Sequence, residues 1–562
     1  MRRTIFLALA GALCLLVPLT AGAAKHASTE RTYVVLYEKG VQIRAAHAAI
    51  KRAGGKIVRE NRKVGVATVR SANARFQAAV ARSSAVYGAA RNRSIGYTPA
   101  NRARKLDRFA LERMSDLRKT GSGNGRVWHG GPTPAEPFTD LQWDMRMIHA
   151  TPSESYRRQQ GNHGVRVGII DTGIDGSHPD IAPNFNGSLS RNFTTDIPSI
   201  DGPCEVASCK DPADVDQDGH GTHVAGTVAA PLNGLGMSGV APKVELVNIR
   251  AGQDSGYFFL QPSVDALTYA ADNGVDVVNM SYYIDPWLYN CANNPADSPE
   301  EQAEQRTIIA ATERALAYAR AHGVTLVSAL GNEHTDLGKP AVDETSPDFP
   351  PETEHTRAVD NSCKSEPTEG PGVLGISSIG PSGRKAYYSN YGVEQTDLSA
   401  PGGDRRDFFG TSRYDTPPNT ILAPYPKSLA IANGELDPDG TPNTPFVLAD
   451  CSQGDCAYYQ YLQGTSMASP HAVGVAALVI ASRGKKDRAH GGLMMSAGLV
   501  ERVLKRTAQD HACPDPPVQT YPDPDLEPSP ADYTATCEGD EDFNGFYGEG
   551  IVDALAASKK KH

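Results

Sequence analysis

Two stretches of this chain carry different rhythms of apolar and polar residues. In the first, Thr32-Tyr33-Val34-Val35-Leu36-Tyr37 reads as a strand, and residues 41–53 carry helical spacing in alanine-rich sequence that stops at Gly54-Gly55. Lys56-Ile57-Val58 and Val64-Gly65-Val66-Ala67-Thr68-Val69 read as further strands, residues 72–81 as a second helix, and Val86-Tyr87 opens a last strand. The order β-α-β-β-α-β predicts a small α+β, ferredoxin-like unit. From Leu141 onward, short apolar runs at 165–170, 244–249, 275–280 and 324–329 alternate with helical stretches such as 262–273 and 306–322. Strand–helix alternation of this kind predicts an α/β domain, a mostly parallel sheet with helices on both faces. In such sheets ligands bind beyond the carboxyl ends of the strands.

The chain start changes the picture. Arg2 and Arg3 precede an apolar run over 5–19, and Ala21-Gly22-Ala23 follows. A positive start, a short apolar stretch and an Ala-x-Ala end describe a secretory signal peptide over 1–23. The run is shorter than the roughly 20 residues that span a bilayer. No other stretch is long and apolar enough to do so, so the expected product is secreted and has no stable membrane association.

At 562 residues the chain exceeds one core, and 40% hydrophobic against 21% charged residues excludes a disordered composition. Over 31–119 basic residues outnumber acids although the whole chain has a net charge of -10, so the remainder is strongly acidic. A basic unit patterned as a domain is expected to dock on its acidic neighbour rather than on nucleic acid. Between them, residues 98–138 read as an exposed, arginine-rich linker open to proteolysis. Of nine cysteines, Cys14 falls in the signal peptide and eight remain, the default setting for disulfides in an exported chain. Spacing suggests Cys204–Cys209 and Cys451–Cys456, which leaves Cys291–Cys363 and Cys513–Cys537 for longer bridges, although sequence alone does not fix this connectivity.

Three segments carry candidate chemistry. Asp171 ends the apolar strand Val167-Gly168-Ile169-Ile170; His220 opens a small-residue helix in Asp218-Gly219-His220-Gly221-Thr222-His223; and Ser466 stands in Gly464-Thr465-Ser466-Met467-Ala468-Ser469-Pro470 at the start of another. Singly, these are common turn and cap residues. Together they supply a nucleophile, a base and a group to orient that base, which is what acyl transfer needs.

In motif content and chain order the three segments resemble the subtilisin-like serine proteases, the subtilases, over roughly 141–557. The resemblance implies Asp171 as orienter, His220 as general base and Ser466 as nucleophile. Ser328-Ala329-Leu330-Gly331-Asn332-Glu333 is similar to the family's oxyanion segment and implies Asn332 as a donor to the oxyanion. Ser177-His178-Pro179-Asp180, Ser399-Ala400-Pro401-Gly402 and Phe546-Tyr547-Gly548-Glu549-Gly550 add further likeness. The substrate-binding strand corresponds to Ser281, Tyr282 and Tyr283; relatives often carry glycine at Tyr283, and the tyrosine either fills the first specificity pocket or turns away from it. By the same resemblance, residues 29–97 are an inhibitory propeptide, the linker holds the maturation site, and 139–557 is the peptidase domain.

The implied protein is a monomeric, autoprocessed zymogen of a secreted serine endopeptidase acting on proteins or peptides through an acyl-enzyme. A non-catalytic binding protein and an exopeptidase are the alternatives. No cofactor is expected for catalysis. Structural calcium is implied by the resemblance, with ligands unassigned. Asp214-x-Asp216-x-Asp218-Gly219 and Asp540-x-Asp542-x-Asn544-Gly545 imitate calcium loops but carry Ala225 and Ile551 where such loops need glutamate. Two insertions, 286–305 and 403–463, are long enough to be cleft-shaping loops or loosely ordered.

Overall fold

The computed structural model describes residues 30–92, 125–129, 136–350, 352–521 and 533–559. The signal peptide expected over 1–23 and most of the expected linker lie outside the described residues.

The N-terminal unit is β1 (Arg31–Tyr37), α1 (Ile43–Arg52), β2 (Gly55–Asn61), β3 (Val66–Ser71), α2 (Phe76–Val80) and β4 (Val86–Asn92). Its strands form one antiparallel sheet in the order β2-β3-β1-β4. Alternation along β1 splits its side chains between two cores. Tyr33, Val35 and Tyr37 pack with Ala46, Ile50 and Phe76 under the two helices. Val34 and Leu36 face the other way and join a core shared with the larger domain.

The larger domain is built on a parallel sheet of β5 (Arg166–Ile170), β6 (Glu245–Arg250), β7 (Val277–Met280), β8 (Thr325–Ala329), β9 (Val373–Ile379) and β10 (Leu398–Pro401), with the short strand Arg191–Asn192 at one edge. The spatial order is β10-β9-β8-β7-β5-β6 and then the edge strand. Every pairing in it is parallel. Helices cover both faces. On one lie α3 (His220–Ala229), α6 (Thr465–Arg483) and α7 (Ala497–Thr507), whose Val224, Val228, Met467, Val473, Val503 and Leu504 pack with Val167, Val277 and Val327. On the other lie α4 (Leu260–Asp272) and α5 (Pro299–Ala321). Among the described residues only α6 is long and apolar enough to cross a membrane, and it is buried in the core here.

The N-terminal unit docks on α4 and α5. Val34, Leu36, Val66 and Ala90 bury against the core around Val264, Ile308 and Leu316. Polar contacts frame that patch: Arg59 Nε lies 2.6 Å from Asp265 Oδ2, Asn61 Nδ2 donates to Asp265 Oδ1 and Thr268 Oγ1 at 2.7 Å each, and Arg314 Nη1 donates to the Tyr37 carbonyl at 2.7 Å. Charge opposition alone predicted docking. The contact is an apolar face rimmed by ions, so most of its stabilisation comes from burial.

Both expected insertions contain regular structure. Residues 286–305 are loop only as far as Ser298. There a capping box, in which Ser298 Oγ accepts from Glu301 N–H and the Glu301 carboxylate accepts from Ser298 N–H, starts α5 well before the expected 306. Residues 403–463 contain β11 (Ile421–Pro424), β12 (Val447–Asp450) and β13 (Ala457–Leu462), an antiparallel sheet with β13 in the middle. Val127–Trp128 adds to β12 as a parallel edge strand. The eight cysteines bridge as Cys204–Cys209, Cys291–Cys363, Cys451–Cys456 and Cys513–Cys537.

Candidate active site

Asp171 is the first residue beyond β5, at the carboxyl edge of the sheet, and is fully buried. Its Oδ1 accepts from Thr172 N–H at 2.8 Å and lies 2.7 Å from His220 Nδ1. His220 is the first residue of α3 and is buried too. The approach of helix to loop requires glycine at 221: a Cβ there would stand 2.0 Å from the Gly173 carbonyl and 3.1 Å from Asp171 Cβ.

Asp216 anchors the stretch that delivers the histidine. It accepts from Gly219 N–H at 2.9 Å, from Thr222 N–H at 2.9 Å and from Thr222 Oγ1 at 2.6 Å, and it also takes a bond from Thr172 Oγ1 at 3.2 Å. One carboxylate therefore holds the turn after Asp171 and the first turn of α3 together. Sequence reading noticed Asp216 only inside a failed calcium loop. Its spacing before a glycine and a threonine at a helix start was the available signal for this capping role. One turn further on, His223 is buried against the Ile421 and Gln460 carbonyls, and burial first, with nearby His220 contributing, pushes it down to about 3. It stays neutral, so no second positive charge builds up beside His220.

Ser466 is the second residue of α6, buried at the end where backbone N–H groups point outward. Asn332 comes from the loop after β8. Its Oδ1 accepts from both the backbone N–H and the hydroxyl of Thr465, each at 2.9 Å. Thr465 Oγ1 in turn accepts from Gly331 N–H at 3.0 Å. Both acceptor directions of the Asn332 amide face Thr465, which turns its nitrogen end the other way. Asn332 and Ser466 line one pocket with Ser281, Tyr282 and Tyr283. Thr465 was not singled out from sequence; a lone threonine at a helix start carries no mark of what it orients.

The expected substrate strand sits on the same pocket. Ser281 Oγ bonds to Ser469 Oγ at 2.9 Å and accepts from Asn279 Nδ2 at 2.9 Å, tying the end of β7 to α6. Tyr282 is buried and stacked on Phe258 with ring centroids 4.1 Å apart. Tyr283 forms part of the pocket wall with its hydroxyl donating to Asp348 Oδ2 at 2.8 Å, so its ring is tethered at the far end. Leu288, just ahead of the Cys291–Cys363 bridge, lines the same pocket.

The carboxyl ends of the parallel strands thus carry a buried aspartate–histidine pair, and a serine at a helix N-terminus that lines one pocket with an oriented asparagine. The sequence profile of the subtilase family matches residues 162–550. The chain belongs to the subtilase family. Among its relatives, the thermophilic serine proteinase of Bacillus sp. strain AK1 is 26% identical over 63% of this chain and 58% of its own length. Subtilisin DY of Bacillus licheniformis is 28% identical over 57% of this chain and 79% of its own. The chain therefore spans little more than half of the first relative. In fold it is similar to the epidermin leader peptide processing serine protease of Staphylococcus aureus, with a TM-score of 0.60 at 19% identity over 95% of this chain and all of that one (100%).

The described residues also hold one group of acids close enough to share a metal ion: Asp196, Glu205, Asp211 and Asp254. Neither of the imitation calcium loops is part of it.

Proposed function

We propose that this chain is the precursor of a secreted serine endopeptidase that hydrolyses protein or peptide substrates through an acyl-enzyme. Ser466 Oγ attacks the scissile carbonyl while His220 takes its proton. Asp171, bonded to His220 Nδ1, holds the ring so that Nε2 serves the serine, and it stabilises the imidazolium that forms. The tetrahedral oxyanion receives hydrogen bonds from Asn332 Nδ2 and Ser466 N–H at the positive end of α6. As the tetrahedral species collapses, His220 returns the proton to the leaving amine; water then repeats the sequence on the acyl-serine. Substrate adds as an extended strand along Ser281–Tyr283.

The observation that carries this reading is the 2.7 Å contact of His220 Nδ1 with buried Asp171, on a chain whose Ser466 and Asn332 face one pocket. Four disulfides support an oxidising destination. In the proposed maturation residues 29–97 act as an inhibitor, whose portion 30–92 docks on α4 and α5, and the chain cuts itself within the linker over 98–138. Membership in a family of peptidases, with relatives named as serine proteases, supports catalysis over the binding-protein alternative.

The test is wild type and Ser466→Ala expressed side by side, read by intact mass and by labelling with a fluorophosphonate. Wild type is expected to lose its basic N-terminal region and take the label, and the variant to do neither. Processed wild type that refuses the label would remove Ser466 from the mechanism.

A further inference from the structure

The loop that carries Asn332 is gripped by one side chain. Asn390, 2% exposed, belongs to the segment between β9 and β10. Its Nδ2 donates to the Leu330 carbonyl at 3.0 Å and to Glu333 Oε2 at 2.5 Å. Its Oδ1 accepts from Glu333 N–H at 3.1 Å and from Thr335 N–H at 2.8 Å. Its own backbone N–H donates to the Gly331 carbonyl at 3.0 Å. A primary amide has two donor hydrogens and two acceptor directions, so the group is fully used, and exchanging its oxygen and nitrogen would satisfy none of the four.

These bonds fall on both sides of Asn332, with Leu330 and Gly331 before it and Glu333 and Thr335 after it. The close approach needs glycine at 331, whose φ is +102° and where a Cβ would stand 2.6 Å from Asn390 Nδ2. The segment that grips is itself held. Fully buried Lys385 donates through Nζ to the Ser389 carbonyl at 2.8 Å, and Ser389 Oγ accepts from Ser378 N–H on β9 at 2.9 Å. His334 N–H donates to the Tyr388 carbonyl at 2.8 Å, so the two segments run on together. The Thr465 tether fixes the oxygen end of the Asn332 side chain. Asn390 fixes the backbone beneath it.

We infer that Asn390 is a positioning residue for the oxyanion site: by clamping the backbone on either side of Asn332, it sets where Asn332 Nδ2 points. Asn390 lies outside the lining of the pocket that Ser466 and Asn332 share, so it acts through Asn332. The inference rests on the proposed role of Asn332 as oxyanion donor and deepens it by naming what holds the donor in place. A hydrogen bond to a developing charge is sensitive to placement, and a shift of about 1 Å can cost on the order of a hundredfold in rate. With the Thr465 tether kept, loss of the clamp is expected to cost roughly tenfold in kcat. Aspartate has the right shape at 390 and the wrong chemistry. Ionised, it only accepts, so it gives nothing to the Leu330 carbonyl and faces the Glu333 carboxylate; protonated, it recovers one donor.

Steady-state kinetics on a peptide amide test this with wild type, Asn390→Asp, Asn332→Ala and the double variant, each first checked by its melting temperature. The introduced carboxyl stands against Glu333, which raises its titration above the ordinary carboxylate range, so the useful window runs from about pH 5 to about pH 8. His220, His334 and Lys385 are present in all four enzymes, and their own titrations are removed by taking the ratio of kcat with and without the change at 390. That ratio is expected to fall roughly tenfold as the carboxyl ionises, with KM little changed, and to become flat in the Asn332→Ala background. A general weakening of the fold would not give a ratio that depends on Asn332. If Asn390→Asp does not fold, Asn390→Ala, small enough to let water reach the freed groups, takes its place: its loss in kcat should be about tenfold alone and under about twofold beside Asn332→Ala. A flat ratio in the single variant, or an equal loss with and without Asn332, overturns the inference and leaves the oxyanion reading standing when Asn332→Ala is itself slow. Asn332→Ala as fast as wild type refutes that reading, and the inference with it.

Discussion

The tether between Thr465 and Asn332 makes a quantitative test of the site. Thr465→Val keeps the side-chain volume at a fully buried position but deletes a hydroxyl that donates to Asn332 Oδ1 at 2.9 Å and accepts from Gly331 N–H at 3.0 Å. Asn332 keeps its second tether, the Thr465 backbone N–H at 2.9 Å. Gly331 is only partly buried, so water reaches its freed N–H and the stability cost should stay near 1 kcal/mol, the low end of the range for a lost hydrogen bond. If the hydroxyl acts by aiming Asn332, the same ~1 kcal/mol appears in the barrier as roughly a fivefold fall in kcat with KM little changed. Losing the asparagine altogether should cost about a hundredfold to a thousandfold, a range that comes from subtilisin rather than from this chain. Steady-state kinetics on a peptide amide with Thr465→Val, Asn332→Ala and the double variant close the cycle. In the Asn332→Ala background the threonine change should cost under about twofold, because nothing is left to aim. Multiplicative losses in the double variant, or a rise in KM with kcat untouched, would refute the argument.

Two further outcomes follow from burial and chain topology. Glu366 is completely buried with neither carboxylate oxygen partnered, and burial pushes it up to about 8. Its folded form holds a proton that the unfolded chain gives up near pH 4.5, so stability falls as pH rises from about 4.5 to 8; Glu366→Gln should flatten the melting temperature across that window, and an unchanged slope would remove Glu366 as its source. Cys291–Cys363 closes a separation of 72 residues, for which loop entropy alone gives about 4 kcal/mol. Replacing both cysteines by serine should lower the denaturation midpoint accordingly, and a loss under about 1 kcal/mol would mean that the unfolded chain gains little freedom there.

Much of the site was legible in the sequence because its residues sit at element boundaries. Asp171 ends an apolar run, while His220 and Ser466 open helices of small residues, and those transitions are written locally in hydrophobic pattern and glycine placement. The strands at 166–170, 245–250, 277–280 and 325–329 fell within a residue or two of expectation for the same reason: buried parallel strands are short continuous apolar runs. The start of α5 lies before the expected 306, although its signal, Ser298-Pro299-Glu300-Glu301, lies in plain sequence inside the stretch read as an insertion.

What the chain determines by itself is therefore local: where strands and helices begin, which residues occupy their ends, and which segments are apolar enough to be buried. Only the tertiary structure decides what those ends meet. Thr465 on Asn332, Asp216 across Thr172 and Thr222, Tyr283 on Asp348, and Asp254 beside Asp196 are contacts between segments far apart in the chain or joined only through a turn. No periodicity encodes them, because each depends on how two finished elements pack. The same holds for β1, whose alternation announced two faces while leaving open that one would close on its own helices and the other on α4 and α5. Burial energy is nearly indifferent to partner, so an apolar face announces that it will be covered; the identity of the cover follows from shape and from the few polar bonds at its rim.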